Sequence, residues 1–264
     1  MSGATGPGGV PRMPVVARDL PRGPVLVIAP HPDDEIMGPG ATLLAHVRQG
    51  DPVSVVVVFD GAQGDPDGRY DRASYVARRQ EETRLVARRH FRSEDVVFHG
   101  FADGLAESDL DLVYPGLPPE PEAKLRVLLD GLATHLLGHL ERVRPRVVYY
   151  PWSGEFHADH WAVATAFENL RRNEPARFAG VDCLGYEVWS TLLPETLVDV
   201  SETFEEKLEA MRLYESQTAY VDYPGLIGGL NRHRGFLMPH ASAPAERRRA
   251  EAFVGTYRAE GEAR

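Results

Sequence analysis

Cysteine is almost missing from this chain: Cys183 stands alone among 264 residues, which excludes an intrachain disulfide and fits a reducing compartment. Its neighbours read as strand, so buried packing is its expected role. Also missing is any apolar run long enough to span a bilayer. The first 23 residues are rich in Gly and Pro and hold no hydrophobic core of signal-peptide length. We therefore expect a flexible N-terminal arm over residues 1–23, a single domain over 24–264 and a cytoplasmic protein. A surplus of positive charge is missing as well: 29 Lys and Arg face 39 Asp and Glu, a net charge of −10. Long-range attraction to polyanions is weak, so nucleic acid is not an expected partner.

What is present is enough apolar material, 43% of the chain, for one large α/β domain. Its organising stretch is Val25-Leu26-Val27-Ile28-Ala29, a strand-type run that stops at Pro30 and delivers His31, Asp33, Asp34 and Glu35 at its C-terminal end. In an open α/β sheet that end is where ligands bind. A plain turn needs only Pro32 and one Asp. The additional His and Asp point to an ion, because His31 and Asp34, three residues apart, can aim at one point and leave Asp33 beside them as a spare base. The competing reading is a helix N-terminus capped by Asp33 or Asp34, with Glu35 favoured by the macrodipole; both can hold together.

Further along, a helix is expected from Glu35 to Gln49 and a strand from Val53 to Phe59, giving a right-handed βαβ unit. Gly38-Pro39-Gly40 comes too late for a dinucleotide fingerprint and reads as close helix–sheet packing. Asp60 to Gly68 is turn chemistry at the ligand end, Tyr75 to Arg89 a charged helix, and Val96 to Phe101 a third strand that turns out through Asp103-Gly104. A proline-rich loop, Pro115 to Pro121, leads into a helix from Glu122 to Arg142. That helix carries His135 and His139 four residues apart, a chelating spacing without a carboxylate beside it, read as helix-surface or core histidines.

Arg146 to Tyr150 is the fourth strand, and its end opens a second helix with His157-Ala158-Asp159-His160. His157 and His160 can face one side of the first turn. Two strand ends that bring His and Asp to the same edge of one sheet amount to a three-ligand site with its fourth position open, and an open position means bound water and chemistry rather than a structural zinc. Beyond it we expect strands at Leu184 to Trp189 and Thr196 to Val200, a helix from Phe204 to Tyr214, a flexible loop over Gly228 to Gly235 whose Arg232 or Arg234 can close over substrate, and a charged helix from Ala245.

The pairing of His31-Pro32-Asp33-Asp34-Glu35 with His157-Ala158-Asp159-His160 resembles the PIG-L/LmbE-like family of zinc-dependent N-deacetylases. Members of that family deacetylate N-acetylglucosaminyl groups of phospholipids, of the mycothiol precursor and of glycopeptide antibiotics. Arg79 with Glu82, Phe101-Ala102-Asp103-Gly104, Tyr186-Glu187-Val188-Trp189, Lys207, Ser216-Gln217 and Ala250-Glu251-Ala252-Phe253 follow in the family's order, so the resemblance covers Val25 to Phe253. The expected fold is α/β, a Rossmann-like three-layer sandwich with a mostly parallel sheet. The resemblance implies His31, Asp34 and His160 as metal ligands for Zn2+, with Fe2+ as an alternative, Asp33 as general base, and His157 as the group that stabilises the oxyanion or protonates the leaving amine. It places the sugar-binding pair on Arg79 and Asp103. Asp159 is expected to hold His157 charged and oriented, against the plainer reading of an acidic residue in a helix's first turn. The substrate class implied is a small amino-sugar conjugate that loses its N-acetyl group. An amidase cleaving a larger acyl conjugate and a non-catalytic sugar- or metal-binding protein are the alternatives.

Overall fold

Runs of uncharged β-branched residues form the centre of the molecule. In the computed structural model, which describes residues 13–104, 119–238 and 244–257, the strands are β1 (Val15–Ala17), β2 (Val25–Ala29), β3 (Val53–Phe59), β4 (Val96–Phe101), β5 (Val147–Pro151), β6 (Asp182–Tyr186), β7 (Thr196–Asp199) and β8 (Ala250–Val254). They form one sheet in the order β1-β7-β8-β6-β5-β2-β3-β4. Every pairing is parallel except those of β8, which runs antiparallel to both β6 and β7.

Helices cover both faces: α1 (Asp34–Met37), α2 (Gly40–Arg48), α3 (Arg72–Val86), α4 (Pro119–Val143), α5 (Ala158–Asn173), α6 (Phe204–Met211), α7 (Glu215–Thr218) and α8 (Tyr223–Phe236). Alternate residues of the central strands enter opposite cores, as the two-residue pleat requires. Val25, Val27 and Ala29 pack with Leu43 and Leu44 of α2 and Phe204 and Met211 of α6. Leu26 and Ile28 pack with Leu132 and Leu136 of α4 and Ala162 and Phe167 of α5. The α/β sandwich of three layers is therefore the observed architecture. No helix among the described residues is long and apolar enough to cross a membrane.

The chain leaves β2 for β3 on one side of the sheet, and β5 pairs with β2 on the other. The crevice between the C-terminal ends of β2 and β5 is thus the topological switch point where doubly wound sheets bind ligands.

Several elements differ from expectation. The arm expected over residues 1–23 contributes β1, which pairs in register with β7 (Val15↔Thr196, Val16↔Leu197); three residues are too few to show a period, and residues 1–12 lie outside the described ones. The single helix expected from Glu35 to Gln49 is broken into α1 and α2, because Pro39 has no N–H to continue the ladder. Gly38 sits at the break, where a Cβ would fall 2.3 Å from the Tyr186 ring, so the close-packing reading of that glycine fits. The Pro115–Pro121 loop lies outside the described residues up to 118, and α4 already begins at Pro119. The loop expected over Gly228 to Gly235 is helical: Asp222 caps α8 by accepting from the N–H of Gly225 (3.0 Å), and Pro224 sits in its first turn. The charged helix expected from Ala245 is instead a single 3-10 turn, Ala245–Arg247, followed by β8.

The α1–α2 break is locked by a buried ion pair. Lys207 of α6, fully buried, donates to Met37 O (2.8 Å), Gly38 O (3.0 Å) and Glu251 Oε1 (2.5 Å), while the Glu251 carboxylate of β8 accepts the N–H groups of Ala41 (2.9 Å) and Thr42 (2.8 Å). Orphan groups at the end of one helix and the start of the next are thereby satisfied by a single pair. Substituting Lys207→Met leaves Glu251 without its counter-charge and is expected to cost about 3–5 kcal/mol, read as a lowered midpoint in urea unfolding.

Candidate metal centre and active site

The first motif turns sharply after β2. Asp33 takes φ 123°, a left-handed value for a residue with a β-carbon, and its carbonyl accepts the N–H groups of Ile36 (3.0 Å) and Met37 (2.9 Å) to start α1. It occupies the cap position without any capping bond from its side chain, so the capping reading is not what its carboxylate does. Asp33 Oδ2 instead accepts from Arg79 Nη2 at 2.9 Å. The same guanidinium donates to Pro32 O (2.5 Å) and Gly61 O (2.9 Å), and Gly61, at φ 69°, leaves it room: a Cβ there would lie 2.3 Å from Nη1. From the other side Glu35 Oε2 accepts the Asp33 N–H (3.1 Å), and the Tyr214 hydroxyl donates to Glu35 Oε1.

Asp34 points the opposite way. Its Oδ2 lies 3.3 Å from His31 Nδ1 and 3.1 Å from His160 Nε2, and one donor atom from each of these three residues falls within 4.8 Å of the others. His160, in the first turn of α5, is fully buried with neither ring nitrogen in an aligned hydrogen bond. Orphaned polar atoms in an interior are costly, and a cation among the three donors would relieve them. Two imidazoles and a carboxylate suit Zn2+ and also suit Fe2+. His31 carries a carboxylate on its far side too: Nε2 is 2.9 Å from Asp159 Oδ2, which also accepts the Gly104 N–H at 2.9 Å. A carboxylate behind a ligating histidine fixes its tautomer and orientation.

The electrostatics separate the two aspartates. Burial pushes Asp33 up to about 7, against the pull of Arg79 and with the help of the neighbouring Asp34 charge. For Asp34, burial is overcome by the charges and hydrogen bonds of His160 and His31, which hold it well below the usual carboxylate range. Burial lowers His31, but its bonds to Asp159 and Asp34 more than offset this and raise it to about 9. Burial together with the His160 and His31 rings lowers His157 to about 4.

Asp33, Asp34, His31, Arg79, Asp103, His157 and Asp159 all line one cleft of about 280 Å3, at the small end of ligand sites. His160 lies behind it. The expected sugar-binding Arg79 commits Nη1 to Gly61 O and Nη2 to Pro32 O and Asp33, while its buried Nε has no partner among the described residues. Asp103 Oδ2 accepts the Gln63 N–H (2.9 Å), and its carboxyl group lies beside that of Asp60. Asp159 Oδ2 bonds His31, a partner the sequence reading did not give it, and its charge also acts on His157, whose ring it lies beside. The expectation for Arg234 is corrected: its guanidinium is buried against Glu187 (2.8 and 2.5 Å) and Leu192 O (2.8 Å), and Arg232 lies over the Phe204 ring, 5.5 Å from its centre.

Sequence reasoning assigned no role to Trp189 or Gln217, which line the cleft, nor to Glu155; Tyr223, also in the cleft wall, falls in the Tyr220 to Pro224 stretch read from the sequence as able to shape the pocket. Glu155 accepts the N–H groups of Val188 (2.7 Å), Trp189 and Ser190, tying the loop after β6 to the entry of α5. Trp189 and Gln217 sit in stretches that matched the family's order, the signal that would have found them; a lone Glu after Gly154 carries none.

Compared with known proteins, residues 26–170 match the family PIG-L, described as GlcNAc-PI de-N-acetylase. The chain belongs to the PIG-L family. Within it, the chain is 28% identical over 208 residues to the diacetylchitobiose deacetylase of Thermococcus kodakarensis, covering 73% of this chain and 69% of that one. It is 30% identical over 156 residues to 1D-myo-inositol 2-acetamido-2-deoxy-alpha-D-glucopyranoside deacetylase 1 of Catenulispora acidiphila, covering 57% of this chain and 47%, about half, of that one. Its fold also resembles GalB, the 4-carboxy-2-hydroxymuconate hydratase of Pseudomonas putida, with a TM-score of 0.66 at 17% identity over 91% of this chain and 99% of that one. The PIG-L sandwich thus carries more than one chemistry, and the site must decide. Substituting Asp159→Asn removes the charge behind His31 and is expected to weaken zinc retention about 10- to 100-fold in a chelator competition.

Proposed function

We propose that this PIG-L protein hydrolyses the N-acetyl amide of a small amino-sugar conjugate, releasing acetate and a free amine, with a divalent cation, zinc foremost, held by His31, Asp34 and His160. The observation that carries the reading is the placement of Asp33: a buried carboxylate on the wall of the cleft beside a donor triad, with its orientation fixed by Arg79. The deacetylase relatives support the acetyl group and the amino sugar as substrate features.

An amide is a weak electrophile with a poor leaving group, so hydrolysis needs an activated water, an anchored oxyanion and a proton for nitrogen. The cation, when bound, supplies Lewis acidity, bringing a water's pKa to about 7 and polarising the acyl oxygen. Asp33 takes the proton from the water at the oxygen not held by Arg79, and returns it to the departing nitrogen, so one carboxyl serves as base and then acid.

His157 faces the cleft and serves the oxyanion as an N–H donor. Trp189 stacks beside it, with ring centres 6.4 Å apart and planes 25° from parallel, and limits its rotation. Asp103 lines the cleft beside Asp60, and its carboxyl group is the one we assign to a sugar hydroxyl.

The test is acetate release from N-acetylglucosaminyl conjugates by the full chain. Chelation is expected to abolish turnover and zinc to restore it. Asp33→Asn is expected to lower kcat by about 10²- to 10⁴-fold while the metal content stays at the wild-type level. Full activity in that variant would remove Asp33 as the base, and release of a larger acid in place of acetate would move the scissile amide off the acetyl group.

A further inference from the structure

A second group of imidazoles sits away from the cleft, where β4 meets α4. His99 of β4 and His139 of α4 face each other with their Nε2 atoms 2.9 Å apart. The His135 ring, one helical turn before His139, lies against His99 with ring centres 4.5 Å apart and planes tilted by 55°. The two α4 histidines have the i, i+4 spacing that puts both on one helix face, and the strand supplies a third ring from across the groove.

Among the described residues no carboxylate forms an ion pair with any of the three. Asp95, the acid close enough to influence His139, is taken by Arg142 at 2.8 and 2.9 Å. His139 is buried and its Nδ1 has no hydrogen-bond partner. Burial and the neighbouring rings lower His99 to about 4, and burial and Arg142 lower His139, so both rings are neutral with lone pairs available at neutral pH.

We propose that His99, His135 and His139 form a second metal site, selective for a borderline divalent cation such as Zn2+, Ni2+ or Cu2+ over oxygen-seeking Mg2+ or Ca2+. Neutral nitrogen donors without a carboxylate impose that selectivity. Two facing Nε2 atoms share one hydrogen; a cation replaces it when the donor ring takes the other tautomer, with its hydrogen on Nδ1, so no proton is released. The His135 nitrogens do not lie within 4.8 Å of both partners, and closing the set takes a rotation of that exposed side chain. The site is distinct from the cleft: Phe101 and Phe59 stand between them, with ring centres 6.2 Å from His99 to Phe101, 6.4 Å from Phe101 to Phe59 and 5.9 Å from Phe59 to His31.

The experiment is zinc stoichiometry by equilibrium dialysis and elemental analysis on the full chain without a histidine tag, paired with a Cu2+ titration followed by electron paramagnetic resonance. The wild type is expected to take two equivalents of zinc. His160→Ala should lose the cleft equivalent and keep the second; His99→Ala should lose the second and keep the cleft equivalent, which reports that the chain is folded. His135→Ala, at an exposed position, should weaken the second equivalent at least tenfold and remove a nitrogen coupling from the copper spectrum. A wild type without a second equivalent, or a second equivalent unchanged by His99→Ala and His135→Ala, overturns the proposal, and does so whether or not the cleft binds zinc.

Discussion

The parallel pairing of β2 with β5 is the constraint on which the site depends. Val25, Leu26 and Val27 lie opposite Val147, Val148 and Tyr149, so the loops leaving the two strands emerge side by side although more than a hundred residues separate them in the chain. Any slip of this register by one residue would turn the buried side chains of β2 to the wrong faces. The cost of such a slip falls on both cores at once, because β2 is buried on each side. The stability of the sheet is therefore what holds His31 and Asp34 against His160.

Within that frame, two adjacent aspartates are held in different surroundings that pull their pKa values apart. They share burial, yet Asp34 faces two imidazoles and Asp33 faces one guanidinium and a like charge. Adjacent carboxyls with separated pKa values are the usual mark of divided labour in hydrolytic sites. The supports are themselves buried: Arg79, Glu35 and Tyr214 around Asp33, Asp159 behind His31, and Lys207 with Glu251 under the α1–α2 break. Residues that never meet a substrate thus account for much of the geometry that would.

Much of this was legible in the sequence because the central strands carry uninterrupted apolar runs and because the ligating side chains sit at abrupt strand ends. Treating both strand ends as one edge gave a shared site for the two motifs, and the family resemblance chose His31, Asp34 and His160 within it, whose donor atoms the fold brings together. The misreadings have physical causes. Val15–Ala17 becomes strand only because β7 offers an edge, a tertiary effect that composition does not carry. Ala250–Val254 pairs antiparallel between β6 and β7, and its buried Glu251 disguised it as a charged segment. Gly228 and Gly229 argued against a helix that Asp222 and Pro224 begin and that packing against α6 maintains. The partner of Asp159 depended on the height of α5 relative to the β2 loop, and His99 showed no link to His135 and His139 until β4 and α4 were placed in contact.

The left-handed backbone at Asp33 has an energetic corollary. Glycine occupies that region of φ without penalty, whereas a side chain there carries strain on the order of 1–3 kcal/mol. Exchanging the residue for glycine would relax the turn but leave the buried Arg79 guanidinium without its counter-charge, a loss of about 3–5 kcal/mol that outweighs the strain. The strained turn at Asp33 is therefore held in place by its ion pair with Arg79, and neither member of that pair can be exchanged alone without exposing the other's charge to an apolar interior.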